Sequence, residues 1–235
     1  MKQSLIAIIF FLSVRVYAQD LQWPTLRQMG HSAKDFAPSG WTVVDSIRGD
    51  LNGDKRDDIA CVIQKNDSVT VVNNEGTSNR MRPKIFFVAL VTKDGIYRLQ
   101  ATNKKLYLNY DRPPTYDDPA RSIAIEDQVL TINFAFDFVN GNFYFYTYQF
   151  RLQGDQFILT RGEFNYVTRR NMNYEKTVYY FTEKKMSVTV GQYGDEDPPK
   201  LTETTEWFEL IIERVRTLRL MESPGSWQVT GGKRL

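Results

Sequence analysis

Residues 130–152 read LTINFAFDFVNGNFYFYTYQFRL, and their pattern indicates the class of the fold. From Leu130 to Phe138 every second residue is a large apolar one, which is the period of a strand that buries one face. Asn140 and Gly141 then form the dipeptide that tight hairpin turns favour, because both residues tolerate a positive φ. The stretch therefore predicts an antiparallel hairpin whose second strand runs through residues 142–152.

The strand pattern continues on both sides of this hairpin. Apolar and β-branched runs alternate with turn signals such as Gly95 and Gly154-Asp155. The further predicted strands cover residues 41–47, 59–64, 84–92, 96–101, 156–164, 177–181 and 186–192. We expect a mostly β fold, an antiparallel meander that forms a sandwich or a partly closed barrel.

Two segments indicate helix instead. Near the N-terminus, Thr25 is placed to cap one turn, and residues 32–36 form a second turn that Pro38 ends, so we expect a short helical segment there. Residues 206–220 fit both a helical stripe and a strand alternation, and the helical stripe is slightly favoured.

Composition limits the chemistry. The 235 residues are 42% apolar and 14% aromatic, which suffices for a core in one domain. The 30 Lys and Arg balance 28 Asp and Glu too closely for a nucleic-acid-binding protein. One cysteine and one histidine exclude an intrachain disulfide and a Cys/His zinc site. Cys61 lies in an apolar run without a basic neighbour, so we expect an inert core thiol.

The N-terminus predicts export. Met1-Lys2 precedes an apolar run over residues 5–12, and Val16 and Ala18 provide the small residues of a cleavage site. Arg15 ends the apolar stretch too early for a membrane anchor, which needs about 18 residues. We expect a signal peptide over residues 1–18 and a single β-rich domain over 19–235, periplasmic or secreted and without a membrane span.

One loop has specific chemistry. Residues 49–59 read GDLNGDKRDDI between two predicted strands. Counted from Asp50, oxygen-bearing side chains fall at the first, third, fifth and ninth positions, and a backbone carbonyl falls at the seventh. The candidate ligands are Asp50, Asn52, Asp54, Asp58 and the carbonyl of Arg56. Hard oxygen ligands in a tight loop indicate a structural Ca²⁺ ion, although hydrogen bonds alone are an alternative way to hold the loop.

This loop resembles the calcium loop of FG-GAP and VCBS-type repeats, whose pattern is Asp-x-Asn-x-Asp-Gly-x-x-Asp followed by a strand. Lys55 stands where the pattern has glycine, and the left-handed turn expected there costs a lysine about 1 kcal/mol or more. The loop occurs once, so the chain is not a propeller of repeats. Residues 35–41, 82–84 and 146–151 extend the resemblance to a group of secreted bacterial proteins, which implies no enzymatic activity.

Two further patterns leave alternatives open. Tyr144, Tyr146 and Tyr148 form an aromatic strip that suits either sheet core or a surface for sugar rings or a protein partner. Residues 111–119 and 194–199 cluster carboxylates, which suits either solvated turns or the carboxylate pair of a glycoside hydrolase.

The predicted function is an exported, non-enzymatic binding or interaction protein with a structural calcium loop and a protein or carbohydrate partner. One alternative is a polysaccharide or cell-wall hydrolase that uses the loop carboxylates. Another is a carbohydrate-binding module that uses the aromatic strip.

Overall fold

The computed structural model describes residues 22–72, 78–107, 120–137, 141–168, 173–194 and 200–235. These residues form sixteen strands and two 3-10 turns, Ala33–Phe36 and Leu218–Leu220, and they contain no α-helix. The first seven strands are β1 (Met29–Gly30), β2 (Trp41–Gly49), β3 (Asp58–Lys65), β4 (Val69–Val72), β5 (Ser78–Met81), β6 (Lys84–Val91) and β7 (Tyr97–Asn103). The others are β8 (Ala120–Glu126), β9 (Val129–Asp137), β10 (Asn142–Gln153), β11 (Gln156–Thr168), β12 (Asn173–Tyr180), β13 (Lys185–Tyr193), β14 (Leu201–Glu209), β15 (Gln228–Thr230) and β16 (Lys233–Arg234).

Two antiparallel sheets dominate this architecture. The smaller sheet has five strands in the order β1-β7-β6-β3-β2. The larger sheet has seven strands in the order β14-β13-β12-β11-β10-β9-β8 and curves into a half-barrel. Each of its strands pairs with the next one along the chain, so the predicted mostly β, antiparallel meander is confirmed.

The hairpin predicted from residues 130–152 forms the second and third strands from the β8 edge of the larger sheet. β9 and β10 pair antiparallel, with Phe136 opposite Tyr144 and Phe134 opposite Tyr146. Burial alternates along β9, as the sequence period requires, because every second side chain points into the core. We call this face of the seven-stranded sheet its inner face and the opposite one its outer face.

One core cluster joins the two sheets. Val62 and Phe86 of the smaller sheet belong to the same buried cluster as Phe134 and Tyr148 of the larger one. The C-terminal residues close this cluster, because Leu235 packs so tightly on Gly162 that a Cβ on the glycine would overlap it. The inner face is therefore covered by the smaller sheet and by the C-terminal segment.

The predicted N-terminal helical segment is wrong. Met29–Gly30 pairs with β7, and Ala33–Phe36 forms a single 3-10 turn in which the Asp35 carboxylate accepts the backbone N–H groups of His31 and Ser32. Only seven residues separate Gly30 from Pro38, too few to offset the cost of nucleating an α-helix. The helix favoured over residues 206–220 is wrong as well, because residues up to 209 pair with β13 as a strand.

Some predictions fall outside the described residues. These are the signal peptide over residues 1–18, the turn residue Asn140, and the acidic stretches 111–119 and 195–199. Within the described part of the chain, no helix is both long enough and apolar enough to cross a bilayer.

Candidate functional site

The acidic loop joins β2 to β3. Gly49 and Asp58 form the last register pair of this hairpin, so residues 50–57 close it as one turn. The sequence folds this way because each short polar side chain can accept hydrogen bonds from backbone N–H groups a few residues further on.

Asp50 organises the loop. Its Oδ1 accepts the backbone N–H groups of Gly53 at 2.7 Å, Asn52 at 3.1 Å and Asp54 at 3.2 Å, and its Oδ2 accepts that of Lys55 at 2.8 Å. Desolvation would raise the pKa of the Asp50 carboxyl, but these four hydrogen bonds outweigh it and lower the pKa. Asp50 is therefore a fixed anion at the centre of the turn.

Lys55 takes the left-handed conformation expected of glycine at its position. Its φ is 64°, and that of Gly53 is 80°. The chain thus makes a left-handed turn at a lysine, which reaches this conformation only at a steric cost.

Asn52 and Asp54 face each other across the loop. Asn52 Oδ1 accepts the Asp54 N–H at 3.0 Å, and Asn52 Nδ2 donates to Asp54 Oδ2 at 3.1 Å. The guanidinium of Arg56 forms an ion pair with that same Asp54 oxygen. The loop thus brings the side chains of Asp50, Asn52 and Asp54 together. The Arg56 guanidinium already occupies one oxygen of Asp54.

Asp58 has a structural role that was not predicted from the sequence. It is fully buried, and its two oxygens accept the backbone N–H groups of Leu51 at 2.9 Å and Val91 at 2.8 Å. Burial raises the pKa of the Asp58 carboxyl, although these two hydrogen bonds oppose the rise. Asp58 therefore anchors the loop to β6, and an aspartate directly before an apolar strand is the sequence signal for such an anchor.

The donor set fits calcium in type. Among the described residues, no group of three or more His, Cys, Asp or Glu side chains is arranged to hold a metal. Asp50, Asp54 and Asp58 therefore do not form a ready-made carboxylate cage, and a site in this loop would need them to converge with the amide oxygen of Asn52 and the backbone carbonyl of Arg56. Such a mixed oxygen set suits Ca²⁺.

The aromatic strip of Tyr144, Tyr146 and Tyr148 does not form a continuous exposed surface. Tyr146 is 5% exposed and Tyr148 is fully buried, because both rings point from the inner face into the core. The interpretation of these two tyrosines as a binding surface is therefore wrong. Tyr144 is partly exposed, and its ring centroid lies 4.9 Å from that of Tyr166.

A groove of about 580 Å³ begins beside Tyr166 and crosses β11 to β14. Tyr166, Glu175, Val190 and Thr204 are successive register partners and form one row across these strands. The remaining lining residues are Asn173, Tyr174, Gly191, Gln192, Thr202 and Glu203. Aromatic rings beside several uncharged polar groups form a wall that suits a hydroxyl-rich ligand. Sequence reasoning missed this groove because its residues come from four strands.

Two other chemically notable side chains are held in fixed roles. Burial would raise the pKa of the Glu163 carboxyl, but the Asn165 hydrogen bond and the charges of Arg161 and Lys176 lower it. Glu163 is therefore unsuited to act as a general acid. Burial raises the pKa of the Cys61 thiol to about 12, which keeps it unreactive.

Comparison of the chain with models of known protein families, with curated protein sequences and with solved structures gives no significant match. The functional conclusions therefore rest on the geometry of the acidic loop and of the groove.

Proposed function

We propose that the protein is an exported, non-enzymatic binding or interaction protein whose loop over residues 50–58 binds a structural Ca²⁺ ion. The side chains of Asp50, Asn52, Asp54 and Asp58 and the carbonyl of Arg56 would be its ligands. The observation that supports this proposal is the path of the backbone around Asp50, with Lys55 in the left-handed conformation.

The affinity for calcium would be low. The Arg56 guanidinium pairs with a carboxylate oxygen of Asp54 that the ion also needs, so binding requires this ion pair to open. Each oxygen of Asp58 accepts one hydrogen bond and keeps one lone pair for the ion, whereas Oδ1 of Asp50 already accepts three N–H groups, which an ion would have to displace in part. We expect a dissociation constant of about 10⁻⁴ to 10⁻³ M, as in other extracellular modules.

Thermal unfolding in a calcium titration tests this proposal. With a dissociation constant of about 1 mM, 10 mM Ca²⁺ stabilises the fold by about 1.4 kcal/mol, which raises Tm by roughly 3–6 °C in a chain of this size. Asp54→Asn should abolish the rise. Asp57→Asn is the matched control, because it removes the same charge from a residue outside the ligand set. A wild-type Tm that does not change with calcium would contradict the proposal.

A second candidate function, recognition of a saccharide, is favoured by the groove beside Tyr166. Its lining combines aromatic rings with Asn173, Gln192 and Thr204, which can hydrogen-bond to sugar hydroxyls. Calorimetry with soluble cell-wall oligosaccharides should detect binding that Tyr166→Ala removes. Phe145→Ala, an exposed ring on the outer face of the same sheet, should leave binding intact. Equal loss in both variants would place the ligand elsewhere.

The hydrolase alternative rests on the acidic stretches 111–119 and 194–199, of which the structure describes only Gly194. Two carboxyl groups that the structure describes in the protein interior, Asp58 and Glu163, are both engaged by fixed hydrogen-bond partners. We therefore favour binding over catalysis.

A further inference from the structure

The last strand of the larger sheet is its most exposed part. β14 lies at one edge of this sheet and pairs with β13 on one side only. Every residue from 202 to 209 is exposed. The opposite edge differs, because β8 packs beside β2, where a Cβ on Gly49 would lie 2.6 Å from the Ile125 side chain. The described strands thus cover one edge of the sheet and leave the other open.

Exposed apolar side chains collect at this open edge. Of the eight large hydrophobic residues that are exposed in the described part of the chain, four lie on or next to β14. They are Val190, Trp207, Phe208 and Ile211, which are 49%, 57%, 46% and 76% exposed. An edge strand with unpaired backbone groups and exposed apolar neighbours is a template for another strand.

We propose that β14 pairs antiparallel with β14 of a second copy of the chain, so that two seven-stranded sheets join into one across a two-fold axis. The axis would pass through Thr205, whose hydroxyl already hydrogen-bonds to that of Thr189 at 2.8 Å. Threonine facing threonine across the axis is a favourable cross-strand pair.

The charges of β14 favour this register. When the two-fold axis passes through a residue, that residue lies opposite its own copy, and the inner faces of the two sheets lie on the same side. An axis between two residues would not keep them on the same side, because side chains alternate with a period of two. Centring on Thr205 pairs all nine residues of β14 and sets Glu206 opposite Thr204 and Glu203 opposite Trp207. Centring one residue later would place Glu206 opposite itself, and centring one residue earlier would pair only seven residues.

A second charge contact supports a copy of this chain as the occupant. The Lys185 ammonium lies 5.2 Å from the centroid of the Trp207 ring. Glu183 of the same chain already pairs with this ammonium at 2.6 Å. In the Thr205-centred register, Glu203 of the partner subunit would lie opposite the Trp207 ring and would provide a second carboxylate for the lysine. The contact would form twice because the interface is isologous.

Cysteine cross-linking in the full chain tests the register. The chain has one cysteine, Cys61, which is fully buried. Thr205→Cys would place two thiols across the axis on Cα atoms about 4.5–5.5 Å apart, within disulfide range. We expect it to form a covalent dimer under mild oxidation. The control, Thr202→Cys, keeps Glu203 in place, would put its two thiols about 20 Å apart and should form no covalent dimer. Equal cross-linking of both variants, or none in either, would overturn the proposal.

Sedimentation of uncross-linked protein provides an independent measurement. The wild type should dimerise reversibly, and Thr205→Lys should raise the dimer dissociation constant by at least about tenfold, because two ammonium groups would meet at the axis. Thr182→Lys, an exposed change in the β12–β13 turn, should not. A wild type that stays monomeric at high concentration, or a Thr205→Lys variant that dimerises as tightly as the wild type, would overturn the proposal. In that case Glu203, Glu206 and Glu209 would keep other strands from pairing with β14, or a different partner would cover this edge.

Discussion

At residue 55 a lysine adopts a φ of 64°, a conformation that glycine reaches without steric cost. The backbone N–H of Lys55 donates to Asp50, so the loop retains this conformation through its hydrogen bonds rather than through the preference of the residue. A lysine at this position therefore costs the loop some stability, which its hydrogen bonds offset.

Replacing this lysine tests the strain. Lys55→Gly should raise the free energy of unfolding by about 1 kcal/mol, measured by urea denaturation without calcium. Lys55→Ala removes the same charge but keeps a Cβ at positive φ, so it should give no such gain. An equal gain in both variants would assign the effect to charge instead of backbone strain.

Asp58 should matter more to stability than its exposed neighbour. Asp58→Asn leaves an amide NH₂ facing a backbone N–H that has lost its acceptor, which should cost about 1–3 kcal/mol of unfolding free energy. Asp57→Asn should change it by less than about 0.5 kcal/mol, because Asp57 is exposed. Equal effects of the two substitutions in urea denaturation would show that Asp58 is not an anchor.

Among the secondary-structure elements, strands are predictable from the sequence where one face is apolar along the strand or where both faces are buried. β9 and β10 match the predicted strands because one face is apolar, and β3 and β6 match because both faces are buried. Prediction fails at β14, because residues 206–209 fit a helical stripe as well as a strand and the eight described side chains, all exposed, provide no buried face to decide between them. The Asp50 loop was identifiable because its residues are contiguous, whereas the groove residues meet only after four strands pair.

The C-terminal segment should act as part of the core. Leu235 is 1% exposed and packs on Gly162, so Leu235→Ala should cost about 2–5 kcal/mol in urea denaturation. Leu220→Ala, which truncates a leucine that is 54% exposed, is the matched control and should cost far less. Similar losses in both variants would mean that the C-terminal leucine does not complete the core.

The charged group on β11 should make stability depend on acid pH. The pKa of Glu163 is lowered from 4.5 in the folded chain, so its ionised form contributes stability above pH 4.5 that is lost as pH falls through the folded pKa. Glu163→Gln should flatten the dependence of unfolding free energy on pH below 4.5. An unchanged slope would contradict the account of its partners Arg161 and Lys176.

In the whole molecule, the two sheets carry different candidate sites. The smaller sheet positions the acidic loop between β2 and β3, and the larger sheet provides the groove and the open edge at β14. Asp58 connects the loop to β6 of the smaller sheet, so an ion bound in the loop would stabilise the sheet that closes one side of the shared core.

Isothermal titration of the calcium-free protein with CaCl₂ measures whether the loop binds the ion. We expect one site per chain with a dissociation constant of about 10⁻⁴ to 10⁻³ M, and tighter binding in Arg56→Ala because the competing guanidinium is gone while the carbonyl ligand remains. Absence of binding heat at 10 mM Ca²⁺ in both proteins would contradict this expectation, and the loop would then be held by its hydrogen bonds alone.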